Sequence, residues 1–127
     1  GKRPLSSMTP TIVFDSKNEP ILATGSPGGS TIITIVLQMI LNVLSFDMGI
    51  AEATAAPRIH HQWLPDMIFY ETGVSVDTLK ILDSMGHKFA RKPGILGSTQ
   101  SILRGPGNST LGSADFRRDG SGAIPQQ

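Results

Sequence analysis

The stretch GSPGGSTIITIVLQMILNVLSF, residues 25–46, joins a glycine-rich turn directly to a long apolar run. The β-branched residues of the run favour a strand, but its polar residues recur every three or four positions, as they do along one side of a helix. This spacing predicts a helix over about 30–46 that is apolar on all but one narrow face and is therefore buried on most sides. A membrane span needs ~20 mostly apolar residues without such a stripe, so no membrane segment is predicted. The polar residues of the stripe are Thr31, Thr34, Gln38, Asn42 and Ser45.

Short β-prone segments flank this helix and predict two hairpins. TIVFD (11–15) and ILAT (21–24) are separated by turn residues, and QSILR (100–104) and TLGSA (110–114) flank the turn GPGNS. An Ala-rich helix is predicted over 50–56, a strand over 67–70, a helix from Ser75 to Gly86, and a strand over 87–91, with 58–65 irregular or extended. Together these elements predict an α+β fold, in which antiparallel hairpins form a sheet that helices cover.

Composition limits the possible classes of protein. The 127 residues are enough for one domain, and with no repeat or linker we expect residues 1–127 to form a single domain. A net charge of +1 with scattered Lys and Arg argues against a nucleic-acid partner. There is no cysteine, which excludes disulfides and thiolate zinc sites without indicating a compartment. The low charged fraction of 17% suggests that part of the surface is covered.

The turn GSPGGS is the first candidate site. Gly28 and Gly29 allow backbone conformations closed to other residues and precede a helix N-terminus, where unpaired N–H groups and partial positive charge attract anions. The pair is therefore placed to bind an anion or an oxyanion, and the alternative is a plain strand-to-helix turn. The sequence is neither a Walker loop nor the dinucleotide fingerprint G-x-G-x-x-G.

The segment PLSSM, residues 4–8, is the second candidate. Ser6 and Ser7 are able to donate hydrogen bonds to a carboxylate, although a solvated turn is the simpler interpretation of this segment alone. Neither serine has the surroundings of an activated nucleophile. Adjacent residues of an extended chain point in opposite directions, so His60 and His61 are not expected to share a metal, and no metal or cofactor is predicted. Trp63 and the histidines are expected to pack against neighbouring structure.

Five ordered segments resemble the C-terminal part of γ-glutamyltranspeptidases, which belong to the N-terminal nucleophile hydrolase superfamily. They are GKRPLSSMTPTIV, TGSPGGSTIIT, IAEATAAPRIHHQWLPD, GSTQSI and SADFRR, and they extend over nearly the whole chain. The resemblance implies a four-layer αββα sandwich, built from a large and a small subunit after self-cleavage. It also implies transfer or hydrolysis of γ-glutamyl groups, as in glutathione, by a threonine at the N-terminus of the small subunit.

The resemblance gives both candidate segments a role. In this family the paired serines of PLSSM hold the substrate α-carboxylate, which implies that role for Ser6 and Ser7. The adjacent glycines of GSPGGS form the oxyanion hole, which implies Gly28 and Gly29. The family's threonine nucleophile and its α-amino-binding residues lie upstream of PLSSM and are missing from this sequence, as is the large-subunit arginine. The implied partners are therefore the rest of the precursor and a γ-glutamyl substrate, and the implied compartment is periplasmic or extracellular.

Three functional classes remain open on the sequence. The chain is a part of a γ-glutamyl hydrolase or transferase that is inactive without the threonine segment, or a non-catalytic anion-binding module, or a module that only pairs with a partner subunit. The start at GKRPLSSM, without an initiator Met, suggests a processed or truncated product. A Thr-Thr-His-like sequence encoded upstream would favour the first class.

Overall fold

A computed structural model of the protein describes residues 1–2 and 8–118. These residues form two antiparallel sheets, a main sheet in the order β1-β2-β5-β6 and a short pair β3-β4. The predicted hairpins are confirmed as β1-β2 and β5-β6, and β2 pairs with β5 to join them. The strands are β1 (Thr11–Phe14), β2 (Pro20–Gly25), β3 (Ile59–His60), β4 (Phe69–Tyr70), β5 (Gln100–Arg104) and β6 (Thr110–Ala114).

Among the described residues, three α-helices accompany the sheets, and the predicted α+β fold class is confirmed. They are α1 (Ile32–Leu44), α2 (Ile50–Ala55) and α3 (Val76–Ser84). The core forms where α1 and α2 lie against the main sheet. Leu22 of β2 packs there with Met39 and Val43 of α1 and with Ile50 and Ala53 of α2. In the described part of the chain, no helix is both long and apolar enough to cross a membrane.

The long helix differs from the prediction in two respects. A 3-10 turn at Gly29–Thr31 precedes it, so the α-helix begins at Ile32 rather than Ser30. The prediction that it is buried on most sides is wrong, because only one face meets the sheet and α2. The opposite face leaves Ile33 60% and Leu37 53% exposed. Leu41 and Leu44 continue this face, and we call these four residues the apolar stripe of α1.

The polar side chains of α1 hold the short strand β3 in place. The side-chain amide of Gln38 donates to the carbonyl of Ile59 at 2.8 Å and accepts from the N–H of Ile59 at 2.9 Å. Thr34 Oγ1 lies 2.8 Å from His60 Nδ1. The polar face predicted for this helix therefore contacts β3 through Thr34 and Gln38.

Two smaller predictions are wrong. The segment 87–91 does not form a strand, because only Phe89 bridges to Ile68, next to the two-residue strand β4. Trp63 does not pack against neighbouring structure, since it is 77% exposed and has a φ of 73° in the irregular segment after β3.

Candidate active-site turn

The turn between β2 and α1 contains two glycines with positive φ. Gly28 has a φ of 154° and Gly29 a φ of 58°, conformations that favour glycine over residues with a side chain. A Cβ atom on Gly28 would lie 2.5 Å from Thr31 Oγ1, whereas a Cβ atom on Gly29 would meet nothing within 4 Å. Packing therefore requires glycine at position 28, and backbone conformation alone favours it at position 29.

The two glycine N–H groups have no acceptor in the described part of the chain. The carbonyls of the same turn are bonded: Pro27 O accepts from Ser26 Oγ at 2.8 Å. Gly28 O accepts from the N–H of Thr31 at 3.1 Å and from Thr31 Oγ1 at 2.9 Å. No described acceptor lies within hydrogen-bond distance of the N–H of Gly28 or Gly29. Gly28 is half-buried and Gly29 is exposed, so both N–H groups are accessible to water or to a ligand.

A buried segment, residues 96–99, supports the turn from one side. The N–H of Ser98 donates to Ser26 Oγ at 3.0 Å. Gly97 approaches so closely that a Cβ atom there would lie within 3 Å of both Ile35 Cδ1 and Pro27 O. The sequence GSTQSI contributed only to the resemblance, and its local chemistry gave no signal of this contact.

Residues of both candidate segments line one pocket of about 390 Å³. Met8 and Thr9, which directly follow PLSS, line it together with Ser26, Pro27 and Ile32. Ser6 and Ser7 themselves lie outside the described residues. The segment that follows them therefore reaches the turn that carries the glycines.

A buried network of four charged residues contacts the segment 96–99. Arg58 Nη2 is 2.8 Å from Asp115 Oδ2, and Arg117 Nη2 is 2.6 Å from Glu71 Oε2. Arg117 Nη1 is also 3.2 Å from Asp115 Oδ1, which joins the two pairs. All four side chains are at most 6% exposed, so we call them the buried ion network.

The network fixes backbone from distant parts of the chain. Arg58 donates to the carbonyls of Leu96 and Thr54, and Glu71 accepts from the N–H groups of Leu96 and Arg58. Asp115 accepts from both the N–H and the hydroxyl of Thr99. Among the described residues, no buried side-chain nitrogen or oxygen lacks a partner.

Burial and pairing act in opposite directions on the ionisation of these groups. Burial raises the pKa of Asp115, but N–H donation from Arg117 and Thr99 and the Arg58 guanidinium outweigh it and lower the pKa to about 2. Burial lowers the pKa of Arg58, which Asp115 only partly offsets. Burial lowers the pKa of Arg117, but the hydrogen bonds and the attraction of Glu71 and Asp115 together outweigh it and raise the pKa.

The side chains of His60 and His61 make contacts within the fold. His60 is buried and lies between Thr34 and Gln62, with 3.0 Å from its Nε2 to Gln62 Oε1. His61 lies in the exposed segment, 3.5 Å from Asp66. Within residues 1–2 and 8–118, no three His, Asp or Glu side chains cluster as metal ligands would.

The sequence interpretation missed the buried ion network. Arg58 is an isolated charge beside alanines and apolar residues in AAPRI, whereas Asp115 lies two residues before Arg117 in SADFRR. An isolated charge is a weak signal of burial, because charged residues are seldom fully buried unless they are paired. Arg58 lies 57 residues from Asp115, and Arg117 lies 46 residues from Glu71, so no local pattern identifies these two pairs.

Comparison with known proteins places this geometry in context. Residues 1–124 match the family described as Gamma-glutamyltranspeptidase. The chain is 55% identical over 116 residues to a glutathione hydrolase proenzyme of Escherichia coli, covering 91% of this chain and 20% of that protein. A glutathione hydrolase proenzyme of Bacillus subtilis is 46% identical over 121 residues, with 94% and 20% covered.

A solved structure is similar in fold as well. It is a γ-glutamyltranspeptidase from Pseudomonas nitroreducens complexed with L-DON, with a TM-score of 0.87 and 35% identity. The match covers 99% of this chain and 66% of that one. The chain spans about a fifth of the length of the two curated relatives.

Proposed function

Because this chain belongs to the γ-glutamyltranspeptidase family, we propose that it supplies the oxyanion hole and the α-carboxylate contacts of a γ-glutamyl-transferring or γ-glutamyl-hydrolysing enzyme. Gly28 and Gly29 form the oxyanion hole, and Ser6 and Ser7 hold the substrate carboxylate. The observation that carries the proposal is the pair of N–H groups without an acceptor among the described residues, at the turn before α1.

The chemistry follows from where charge develops during acyl transfer. When a nucleophile attacks the γ-carbonyl carbon, the carbonyl oxygen becomes an anion in the tetrahedral intermediate. Donors that are already fixed stabilise this anion more than the neutral carbonyl and so lower the barrier. The partial positive charge at the start of α1 adds to the effect. The nucleophile, a threonine by family resemblance, is supplied by other chain, so these 127 residues are inactive alone.

The carboxylate contacts depend on the pocket beside the turn. Met8 and Thr9, which follow the two serines in the sequence, line this pocket with Ser26 and Pro27. Hydrogen bonds from two hydroxyls to a carboxylate are charge-assisted, each worth about 1.5–3 kcal/mol. The serines therefore act mainly on substrate binding.

The proposed partner is further polypeptide of the same enzyme. The apolar stripe of α1 is one exposed apolar surface, and a second lies on the outer face of the main sheet. There Ile12 and Ile102 are 58% and 46% exposed and line a groove of about 560 Å³ together with Ala23 and Gly112. We infer that residues 1–127 form one unit, two layers of the αββα sandwich, and that the rest of the enzyme covers both surfaces.

The test uses a chimera in which this chain replaces the matching segment of the E. coli glutathione hydrolase proenzyme. Gly29→Ala is compared with Gly107→Ala, because Gly107 has a φ of 64° and equally open space at the Cβ position. Gly107 lies in the turn that follows β5. Gln100, at the other end of β5, pairs with Gly25, so the turn of Gly107 and the glycine turn lie at opposite ends of this strand. Both substitutions therefore impose the same backbone strain, and only one lies at the proposed oxyanion hole.

Alanine keeps the backbone N–H, but its methyl group would enter the open space at Gly29 and hinder the approach of the carbonyl oxygen. We therefore expect Gly29→Ala to lower kcat for a γ-glutamyl anilide by at most the ~10²–10³ that loss of an oxyanion donor costs, while Gly107→Ala stays near the parent chimera. Equal turnover of the two variants would overturn the oxyanion assignment. It would favour the alternative, a plain turn or a non-catalytic anion-binding or subunit-interaction module.

Two further measurements test the other parts of the proposal. Replacing both Ser6 and Ser7 with Ala in the chimera is expected to raise KM strongly, and unchanged KM and kcat would contradict the carboxylate role. The purified 127-residue chain is expected to release no product from a γ-glutamyl anilide above a denatured control, because it lacks the threonine.

A further inference from the structure

We propose that Ser26 and Thr31 are positioning residues that aim the two glycine N–H groups by holding the carbonyls of the same peptide units. The inference rests on the proposed oxyanion role and adds two side chains to it. Neither residue touches the substrate in this scheme, and both act through the backbone of Gly28 and Gly29.

The first peptide unit joins Pro27 to Gly28. In a planar trans peptide the C=O and N–H bonds point in opposite directions. The hydroxyl of Ser26 donates to Pro27 O at 2.8 Å. Fixing that carbonyl therefore fixes the direction of the Gly28 N–H, which is left facing the opposite way without a described acceptor.

The second peptide unit joins Gly28 to Gly29 and is held in the same manner. Gly28 O accepts from both the N–H and the hydroxyl of Thr31, at 3.1 and 2.9 Å. The N–H of Gly29 is thereby directed away from Thr31, the residue that precedes α1. Thr31 Oγ1 also occupies the space beside Gly28, so that a Cβ atom there would lie 2.5 Å away.

The Ser26 hydroxyl is itself anchored to the buried part of the fold. It accepts from the N–H of Ser98 at 3.0 Å while it donates to Pro27 O. Ser98 and Thr99 are 4% and 0% exposed, and Thr99 is bonded to Asp115 of the buried ion network. The hydroxyl thus links the turn to a segment that the network keeps in place.

Ser30 offers a matched contrast within the same turn. Its hydroxyl donates to the side chain of Gln62 at 2.8 Å, in an exposed position, and to no carbonyl of the turn. Ser30→Ala therefore removes a hydroxyl of the same kind, next to Gly29, without releasing either peptide unit.

The experiment compares Ser26→Ala, Thr31→Val, Thr31→Ser and Ser30→Ala in the chimera. The readouts are kcat, KM for a γ-glutamyl anilide, and the inhibition constant of a boronate analogue that forms a tetrahedral anion. We expect Ser26→Ala to lower kcat about 5- to 100-fold, below the ~10²–10³ for loss of a donor outright, because the N–H is misdirected rather than removed. KM should stay within about twofold, and boronate binding should weaken in step with kcat/KM.

Thr31→Val is expected to have a smaller effect, since the N–H of Thr31 still bonds Gly28 O, and Thr31→Ser is expected to restore kcat. If Ser26→Ala does not fold, Thr31→Val and Thr31→Ser test the positioning role by themselves. The proposal is overturned if Ser26→Ala and Thr31→Val match Ser30→Ala within twofold in kcat, or if boronate binding is unchanged while kcat falls. If Gly29→Ala lowers kcat but these variants do not, only the positioning inference fails.

Discussion

The buried ion network and the glycine turn differ in whether their polar groups are paired within the chain. In the network, no buried side-chain nitrogen or oxygen of the four charged residues lacks a partner. In the turn, the carbonyls of Pro27 and Gly28 are bonded, while the N–H groups of Gly28 and Gly29 meet no acceptor among the described residues. The polar groups of the network are buried and used within the fold, as buried polar groups generally are, whereas Gly28 is half-buried and Gly29 exposed, so their N–H groups are accessible to a ligand.

The largest expected effect is on the network. Arg58→Ala leaves Asp115 buried without its main partner and is expected to lower the free energy of unfolding by about 3–5 kcal/mol. Arg104→Ala is the control, because Arg104 also pairs with two acids but is 29% exposed, and it should lose less than ~1 kcal/mol. Urea unfolding of the chain, followed by circular dichroism, gives both values. Equal losses would show that the buried ion network stabilises the fold no more than an exposed ion pair does.

The next effect is on acid stability. The pKa of Asp115 is lowered from 3.8 to about 2 in the folded chain, so its ionisation stabilises the fold fully above pH 3.8. That contribution, roughly 2 kcal/mol for a shift of this size, is lost as the pH falls towards 2. Unfolding midpoints at several pH values should show this loss in the parent chain and a smaller one in Asp115→Asn. The same acid dependence in both would contradict the assignment to Asp115.

A smaller effect concerns the turn alone. Gly29→Ala and Gly107→Ala place alanine at nearly the same positive φ without a contact, and each is expected to lower the free energy of unfolding by about 1–2 kcal/mol. Similar losses would show that a difference in turnover between the two chimera variants is not caused by stability. A much larger loss for Gly29→Ala would mean that the turn also supports the fold.

The smallest effect is expected for Ser30→Ala, within about 0.5 kcal/mol, because its hydroxyl bond to Gln62 is exposed. Thermal unfolding of the chain provides the check. A loss above ~1 kcal/mol would show that the outer side of the turn is braced as firmly as the side that faces Ser98.

The hairpins and the helices were predictable because their signals are local. Alternation, turn residues and helical spacing lie within short windows, and the glycines at 28 and 29 stood out by chemistry alone. Burial of α1 was not predictable, because periodicity shows which residues share a face but not what lies against that face. Ser26 also gave no signal, since the role of its hydroxyl depends on Ser98, 72 residues away.

The side-chain amide of Gln38 makes hydrogen bonds to β3 of the kind that a neighbouring strand would make. Its amide offers Ile59 one donor and one acceptor, the same pair that a neighbouring backbone residue would offer in a ladder. The register of β3 is thus set by a helix side chain, and a shift of one residue would bring Ile59, 41% exposed, to the inside and turn buried His60 outwards. Insertions or deletions between Pro57 and Ile59 should therefore be tolerated far less than their distance from the glycine turn suggests.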